Sequence, residues 1–470
     1  MKTREEADSI GKKTVPATAY YGIQSLRAAE NFKITNLKIH PRLVKALALV
    51  KKAAAISNRD IGLLVERKAR AIIQACDEVA GGSLQDQFIV DAVQGGAGTS
   101  INMNMNEVLA NRAIEILGGT KGDYQLVHPN NHVNMSQSTN DVLPTAIRIA
   151  TIRMLEEVVA EVGRLEEALQ KKSREFDDVI KMGRTQLQDA VPIRLGQEFS
   201  AYSSAVNRDR DRIAASIEDL VVINLGATAV GTGLNADLEY VNSVTEILRE
   251  ITGLNLRQSE NMIDATQNVD ALVGVSSVLK TAAVNLSKIA SDLRLMSSGP
   301  RAGLNEIDLP AVQPGSSIMP GKVNPVIPEV VNQVAYQIIG NDQVISMAAE
   351  AGQLELNVMQ PVLVYNLFQS IEMLENALET FIDNCIVGIK ANRERCRELL
   401  ERSVGIITAI NPHVGYETAG RIVKRALEEE RSVKDIILEE GILSAEELEK
   451  ILNPYEMTEP GIAGKELLDI

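Results

Sequence analysis

Tryptophan is absent from this 470-residue sequence, and Phe and Tyr bring the aromatic fraction to only 3%. Leu, Val, Ile and Ala must therefore fill the interior, as helix-on-helix packing allows. The apolar fraction of 45% is enough for a large core, and the length exceeds that of one simple domain. Positive charge is also short: 48 Lys and Arg stand against 63 Asp and Glu, a net charge of −15. Such a surface repels nucleic acid and anionic membranes, and few rings remain to stack bases. No nucleic-acid partner is expected. An anionic substrate would need a site with its own cations and N–H donors.

Cysteine is scarce. Cys76, Cys385 and Cys396 are too few to staple the chain and form no Cys-x-x-Cys pair. They read as reduced thiols, which points to the cytoplasm. There are four histidines: His40, His128, His132 and His413. His128 and His132 have zinc-ligand spacing, but Pro129-Asn130-Asn131 between them does not read as helix. No cysteine or Glu-x-x-His completes a metal set. A Gly-x-Ser-x-Gly elbow is missing, which argues against a serine hydrolase. No apolar run reaches the length of about 18 residues that a membrane span needs. The opening MKTREEADSIGKK lacks the apolar stretch of a signal peptide, so none is expected.

What the sequence does have is helical periodicity. Leu155, Val158, Val162, Leu165 and Leu169 recur at 3-4-3-4 spacing, with Glu156, Glu157, Arg164 and Glu166 between them. A second series runs Leu272, Val275, Leu279, Ala282, Leu286, Ile289, Leu293 and Met296, and a third Leu363, Leu367, Ile371, Leu374, Leu378 and Ile382. Each predicts a long amphipathic helix. Between Asp270 and Arg294 the only charges are Lys280, Lys288 and Asp292. A helix so apolar is buried on several sides, as at the centre of a bundle shared between subunits; a large monomeric bundle is the alternative. The expected architecture is mainly α in three domains. These are a mixed, mainly helical segment 1–140, a central long-helix bundle 141–395, and a small helical domain 396–470. The last opens on the breaks at Asn411-Pro412 and Gly415, and Ser444 with Glu447 reads as a capping box.

Four polar segments carry the chemistry. Residues 94–104 (QGGAGTSINMN) set glycines beside Thr99, Ser100 and Asn102. This is not a dinucleotide loop, because the third glycine would fall at Ile101; alone, it passes as a turn. Residues 136–145 (SQSTNDVLPT) lead into a helix whose N-terminus offers free N–H groups, so Ser138, Thr139 and Asn140 could hold a carboxylate there. Ordinary capping needs only one or two of them. Residues 183–192 (GRTQLQDAVP) concentrate donors and acceptors ahead of a proline. Residues 315–325 (GSSIMPGKVNP) combine Ser316, Ser317, Lys322 and Asn324 in a loop able to open and close. It is not a Walker loop, since Ser316 stands where a glycine is required and Val323 where Ser or Thr is.

Together these segments resemble the aspartase/fumarase superfamily. Its Gly-Ser-x-x-Met-x-x-Lys-x-Asn pattern is met by Gly315, Ser316, Met319, Lys322 and Asn324. The resemblance extends to Ala19-Tyr-Tyr-Gly, Asn305-Glu-Ile and Ile410-Asn-Pro-His-Val-Gly-Tyr, so it covers essentially the whole chain. Within the superfamily, GGAGTS at 95–100, Ser138-Thr139-Asn140 and Gln186 favour the aspartase branch. Fumarases carry histidine at the position of Gln186, paired with a glutamate that matches Glu329.

The resemblance implies a cytoplasmic homotetramer whose composite active sites draw on three subunits. The implied reaction is conversion of L-aspartate to fumarate and ammonia, with Ser316 as base. Thr99, Ser138, Thr139 and Ser317 would stabilise the aci-carboxylate; Lys322, Asn324 and Thr185 would hold the other carboxylate; Asn140, Thr185 and Gln186 would surround the amino group. No cofactor is required, although some members respond to divalent cations. The region of His128 and His132 matches a second anion site of fumarases. The alternatives are a class II fumarase and a non-enzymatic, crystallin-like structural protein.

Overall fold

The computed structural model describes residues 2–468. The chain divides into two compact units: Met1–Val159, Asp211–Ala283 and Tyr336–Glu375 form one, and Ala160–Arg210, Val284–Ala335 and Asn376–Ile470 the other. A hairpin of β1 (Thr3–Asp8) and β2 (Gly11–Pro16) opens the chain. Helices α1 (Ile23–Asn31), α2 (Pro41–Asp60), α3 (Glu66–Ala80) and α4 (Thr99–Ile116) follow. Then come α5 (Thr139–Glu175), the β3 (Ile180–Thr185)–β4 (Gln188–Arg194) hairpin and α6 (Leu195–Ser216). Helices α7 (Leu238–Thr252), α8 (Met262–Gln267), α9 (Asp270–Met296), α10 (Val326–Glu350) and α11 (Gln360–Asn384) complete the long-helix part. The unit boundaries fall inside α5, α6, α9, α10 and α11.

The three apolar series lie on α5, α9 and α11, and every residue in them is buried. Periodicity therefore identified these helices and their inward faces. It missed α10, whose buried face interrupts Val331, Ala335, Ile338 and Ile345 with Asn332, Asn341 and Asp342. Each of these polar groups is paired. Asn332 Nδ2 donates to the Ser287 carbonyl at 2.9 Å, Asn341 Nδ2 to Ser370 Oγ at 3.0 Å, and Asp342 accepts from Ser276 Oγ at 2.7 Å and Lys280 Nζ at 2.6 Å. Buried amides that are satisfied cost little, yet they erase the apolar stripe that sequence reading depends on.

In the first unit, α2 packs against α3 and α7. Pro41 sits at its first turn, and His40 Nδ1 accepts the Arg42 N–H at 3.2 Å. The N-terminus of α1 is held by the buried Glu107 carboxylate of α4, which accepts the N–H groups of Gly22 at 2.8 Å and Gln24 at 2.8 Å. A negative group there answers both the orphan donors and the helix dipole.

In the second unit, the C-terminal segment builds its own core from Ile406, Ile410, Ile422, Val433, Ile436, Ile437, Leu448 and Ile451. The Ser444–Glu447 capping box is formed, with Glu447 N–H donating to Ser444 Oγ at 3.2 Å and Ser444 N–H to Glu447 Oε2 at 2.7 Å. The break expected at Asn411-Pro412 comes slightly later. Pro412 lies inside the helix Ile407–Val414, which ends at Gly415 with φ of 82°.

All three cysteines are buried and unpaired. Burial pushes the Cys385 and Cys396 thiols up to about 12, and Cys76 higher still. At pH 8 only about one such thiol in ten thousand is ionised. An aromatic disulfide reagent is accordingly expected to leave the native protein unlabelled over an hour and to titrate all three thiols in guanidinium. Fast native labelling of any one would contradict the burial described.

Candidate active site

In the first unit, the loop before α4 is built for tight backbone. Gly96, Ala97 and Gly98 all have positive φ, and a Cβ on Gly98 would overlap Leu143 Cδ2. The segment expected as a polar loop is therefore loop only as far as Gly98, where α4 begins. Thr99 Oγ1 donates to the Gly96 carbonyl at 2.8 Å. Asn102 faces the interior, and its Nδ2 reaches Thr139 Oγ1 at 3.1 Å. This amide ties the first turn of α4, which Thr99 opens, to Thr139 at the start of α5.

The α5 start is clamped from several sides. Asp141, fully buried, accepts N–H groups from Ser138 at 3.0 Å, Gly226 at 3.1 Å and Thr228 at 3.0 Å. Burial pushes its carboxyl up to about 6, opposed by those three donors. Asn140 Nδ2 donates to the Ala229 carbonyl at 2.8 Å, and Asn224 Nδ2 to the Asn140 carbonyl at 3.0 Å. Sequence reading passed over this bracing segment, although Asn224-Leu-Gly-Ala-Thr-Ala-Val-Gly-Thr-Gly is a legible signal. Small residues and glycines between helices mark a backbone that packs closely on another.

His128 caps a single wide turn, Pro129–Val133, of π-helical form, and His132 lies within it. Pro129-Asn130-Asn131 does not read as helix, yet a proline that is the first residue of a turn gives up no bond, so the wide turn forms. Each Nδ1 is spent on backbone: His128 accepts from Asn130 N–H at 3.1 Å, and His132 from His128 N–H at 2.8 Å. Among the described residues, no group of three or more His, Cys, Asp or Glu is placed to hold a metal ion.

In the second unit, Thr185 ends β3, and Gln186-Leu187 form the two-residue turn to β4. Both turn residues are left-handed, with φ of 56° and 60°. A turn of this kind normally takes Asn-Gly or Gly-Gly, and a non-glycine pair costs about 1 kcal/mol or more per residue. Turn formation thus does not explain Gln186 or Leu187, and Leu187 is 70% exposed.

The base of this hairpin is fixed by charge. Glu306, fully buried, accepts a hydrogen bond from Arg184 Nη1 at 2.7 Å and forms an ion pair with Lys181 Nζ at 3.0 Å, while Lys181 donates to Glu198 at 2.9 Å. Burial works against the Lys181 ammonium, but the two carboxylates outweigh it and raise its pKa. Glu306 thereby anchors the strand that ends at Thr185 and, ten residues ahead of Ser316, the chain leading into the serine loop. Lys181 and Glu198 were not legible as site residues, because nothing local pairs charges so far apart in sequence.

The serine loop closes on itself at the neck. Gly315 N–H donates to the Lys322 carbonyl at 2.9 Å, and Asn324 Nδ2 to the Gly315 carbonyl at 2.7 Å. A Cβ on Gly315 would overlap the Lys322 carbonyl. Within the loop, Ser316 Oγ accepts the N–H groups of Met319 at 3.0 Å and Ile318 at 3.3 Å. Two N–H dipoles aimed at one hydroxyl oxygen stabilise negative charge on it. Ser317 and Lys322 are exposed, and Lys322 has no ion pair among the described residues.

A lyase family model matches residues 11–340, and a fumarase C C-terminus model matches 406–459. The aspartate ammonia-lyase of Bacillus subtilis (strain 168) is 59% identical over 466 residues, covering 99% of this chain and 98% of the relative. The chain belongs to the aspartase/fumarase lyase family. Within that family it is also 49% identical to the aspartate ammonia-lyase of Escherichia coli (strain K12), over 99% of this chain and 98% of that one.

Among solved family structures, a fumarate lyase:delta crystallin from Brucella melitensis bound to cobalt superposes with a TM-score of 0.95. It is 51% identical and covers 98% of this chain and 100% of that one. A class II fumarase from Schistosoma mansoni superposes at 0.93 with 36% identity, over 98% of this chain and 100% of that one. The fold is thus common to both branches. The 59% and 49% identities to ammonia-lyases exceed the 36% to the fumarase, which agrees with the branch read from Ser138-Thr139-Asn140 and Gln186.

Proposed function

We propose that this lyase converts L-aspartate to fumarate and ammonia, with Ser316 as the base. The observation that carries the reading is the pair of N–H groups directed at Ser316 Oγ. A serine hydroxyl is a weak base, and removing a proton beside a carboxylate needs a strong one. The alkoxide becomes accessible when fixed dipoles receive its charge and loop closure excludes water.

As the alkoxide, its own proton released to solvent before the loop closes, Ser316 Oγ takes the proton from the β-carbon and becomes a hydroxyl, and the electron pair moves into the adjacent carboxylate, which becomes a dianionic aci-form. Thr99, Ser138, Thr139 and Ser317 donate to that dianion, usually the largest contribution in such chemistry. Lys322, Asn324 and Thr185 hold the other carboxylate, and Asn140, Thr185 and Gln186 surround the amino group. Collapse of the aci-form creates the double bond of fumarate and breaks the carbon–nitrogen bond. Protons and charge are handled by the chain's own groups, so the chemistry needs no cofactor. The cytoplasm is the proposed setting, supported by three thiols with no disulfide.

The proposed assembly is a homotetramer with composite sites. Apolar side chains left exposed on the long helices support it: Tyr336 and Met347 of α10 at 63% each, and Val284 of α9 at 50%. Exposed Leu187 beside Gln186 fits a hairpin tip that docks on another subunit. If sites are shared, Ser316→Ala and Ser138→Ala chains, each inactive alone, regain part of their activity when unfolded and refolded together. Refolded mixtures that stay inactive while forming mixed tetramers would exclude composite sites.

The activity is tested by ultraviolet absorbance of fumarate, with L-aspartate and L-malate supplied separately. Fumarate from aspartate alone is expected; fumarate from malate alone would overturn the assignment.

A further inference from the structure

Lys51 lies in the middle of α2 and is fully buried. An ammonium in such a place costs several kcal/mol unless it is well paired. Burial pushes it down to about 7, against the opposing pull of Asp141. Its partners are neutral amides: Nζ donates to Asn134 Oδ1 at 2.8 Å and to Gln137 Oε1 at 2.9 Å. Asn134 Oδ1 also accepts from Asn102 Nδ2 at 3.1 Å and Asn106 Nδ2 at 3.1 Å. One amide oxygen thus gathers α2 and α4 onto the segment leading into α5. Asn134 then passes the constraint on, since its Nδ2 donates at 3.1 Å to the carbonyl of Gln137, the residue joined to Ser138. On the other side of that peptide, the Ser138 N–H is taken by Asp141.

We propose that Lys51, acting through Asn134 and Gln137, is the positioning residue that sets the Ser138–Thr139–Asn140 cradle for the aci-carboxylate. The proposal rests on the ammonia-lyase reading above. Neutral or protonated, the Lys51 amine has at least two N–H donors, and it spends them on Asn134 Oδ1 and Gln137 Oε1, so both amide oxygens turn toward it. That fixes the Asn134 amide and leaves its NH2 edge for the Gln137 carbonyl. Without Lys51, Gln137 loses its Oε1 donor and Asn134 keeps only the two asparagine donors. The cradle then has freedom to rotate. Donors preset for a dianion lose most of their worth when misaligned, whereas a ground-state carboxylate tolerates small rotations.

The test uses full-length Lys51→Met and Asn134→Ser, with kcat and KM for L-aspartate. Two inhibitors are compared: succinate, a ground-state dicarboxylate, and a nitronate analogue of the aci-carboxylate. For both variants kcat is expected to fall by about 30-fold or more and nitronate affinity by a similar factor. KM and succinate affinity should move less than about threefold, with helicity and assembly size unchanged. Asn134→Ser keeps Lys51 in place, so it carries the test alone if Lys51→Met does not accumulate as folded protein. A kcat within about threefold of the parent, or equal losses for succinate and the nitronate, would overturn the positioning role. A parent chain that releases no fumarate from aspartate would overturn the ammonia-lyase reading with it; an active parent with unimpaired variants would overturn this proposal alone.

Discussion

Ser316→Ala is expected to lower kcat for aspartate deamination by about three orders of magnitude or more while leaving helicity and assembly size unchanged. The change removes one oxygen from a half-buried position in a loop. That oxygen accepts two backbone N–H groups, from Ile318 and Met319, and the loop neck is closed independently by Gly315, Lys322 and Asn324. Loss of Oγ therefore leaves the neck intact and deletes only the proton acceptor. Binding should survive, so KM is expected to change little. The decisive measurement is kcat at saturating aspartate, with exchange of the β-proton for solvent deuterium followed by NMR. Near-normal turnover or continuing exchange would remove Ser316 as the base.

Lys322→Ala is expected to raise KM for aspartate by about 100-fold, the worth of a charge-assisted hydrogen bond to a carboxylate. The argument starts from the net charge of −15, which opposes an anionic substrate until a local cation offsets it. Lys322 is exposed, has no ion pair among the described residues, and sits in the same short loop as Ser316. Lys322→Arg should recover part of the loss, because charge is retained while the head-group geometry changes. The native KM should also rise with salt, and the alanine variant should lose much of that dependence. An unchanged KM in Lys322→Ala would show that the carboxylate is held elsewhere.

Much of this was open to sequence reading, and the particular elements show why. Helices α5, α9 and α11 announce themselves because a buried helix face must repeat every three or four residues. The capping box at Ser444 is equally local, needing only two residues three apart. The chemical segments were visible as clusters of hydroxyls and amides beside glycines, and resemblance gave them roles.

The sequence by itself therefore determined what depends on near neighbours: helix faces, caps, the serine loop and the lyase family. The tertiary structure decided how groups far apart in sequence are paired. Lys51 reads as one more surface lysine of an amphipathic helix until Asn134 and Gln137 close over it, 83 and 86 residues away. Glu306 reads as an ordinary acidic residue until Lys181 and Arg184 meet it across more than a hundred residues. Helix α10 was missed because its inner face carries Asn332, Asn341 and Asp342, each satisfied by a distant partner. The reason is common to all three. A buried charge or amide is tolerable only when a partner is supplied at about 3 Å, and one-dimensional spacing holds no information about which distant segment supplies it.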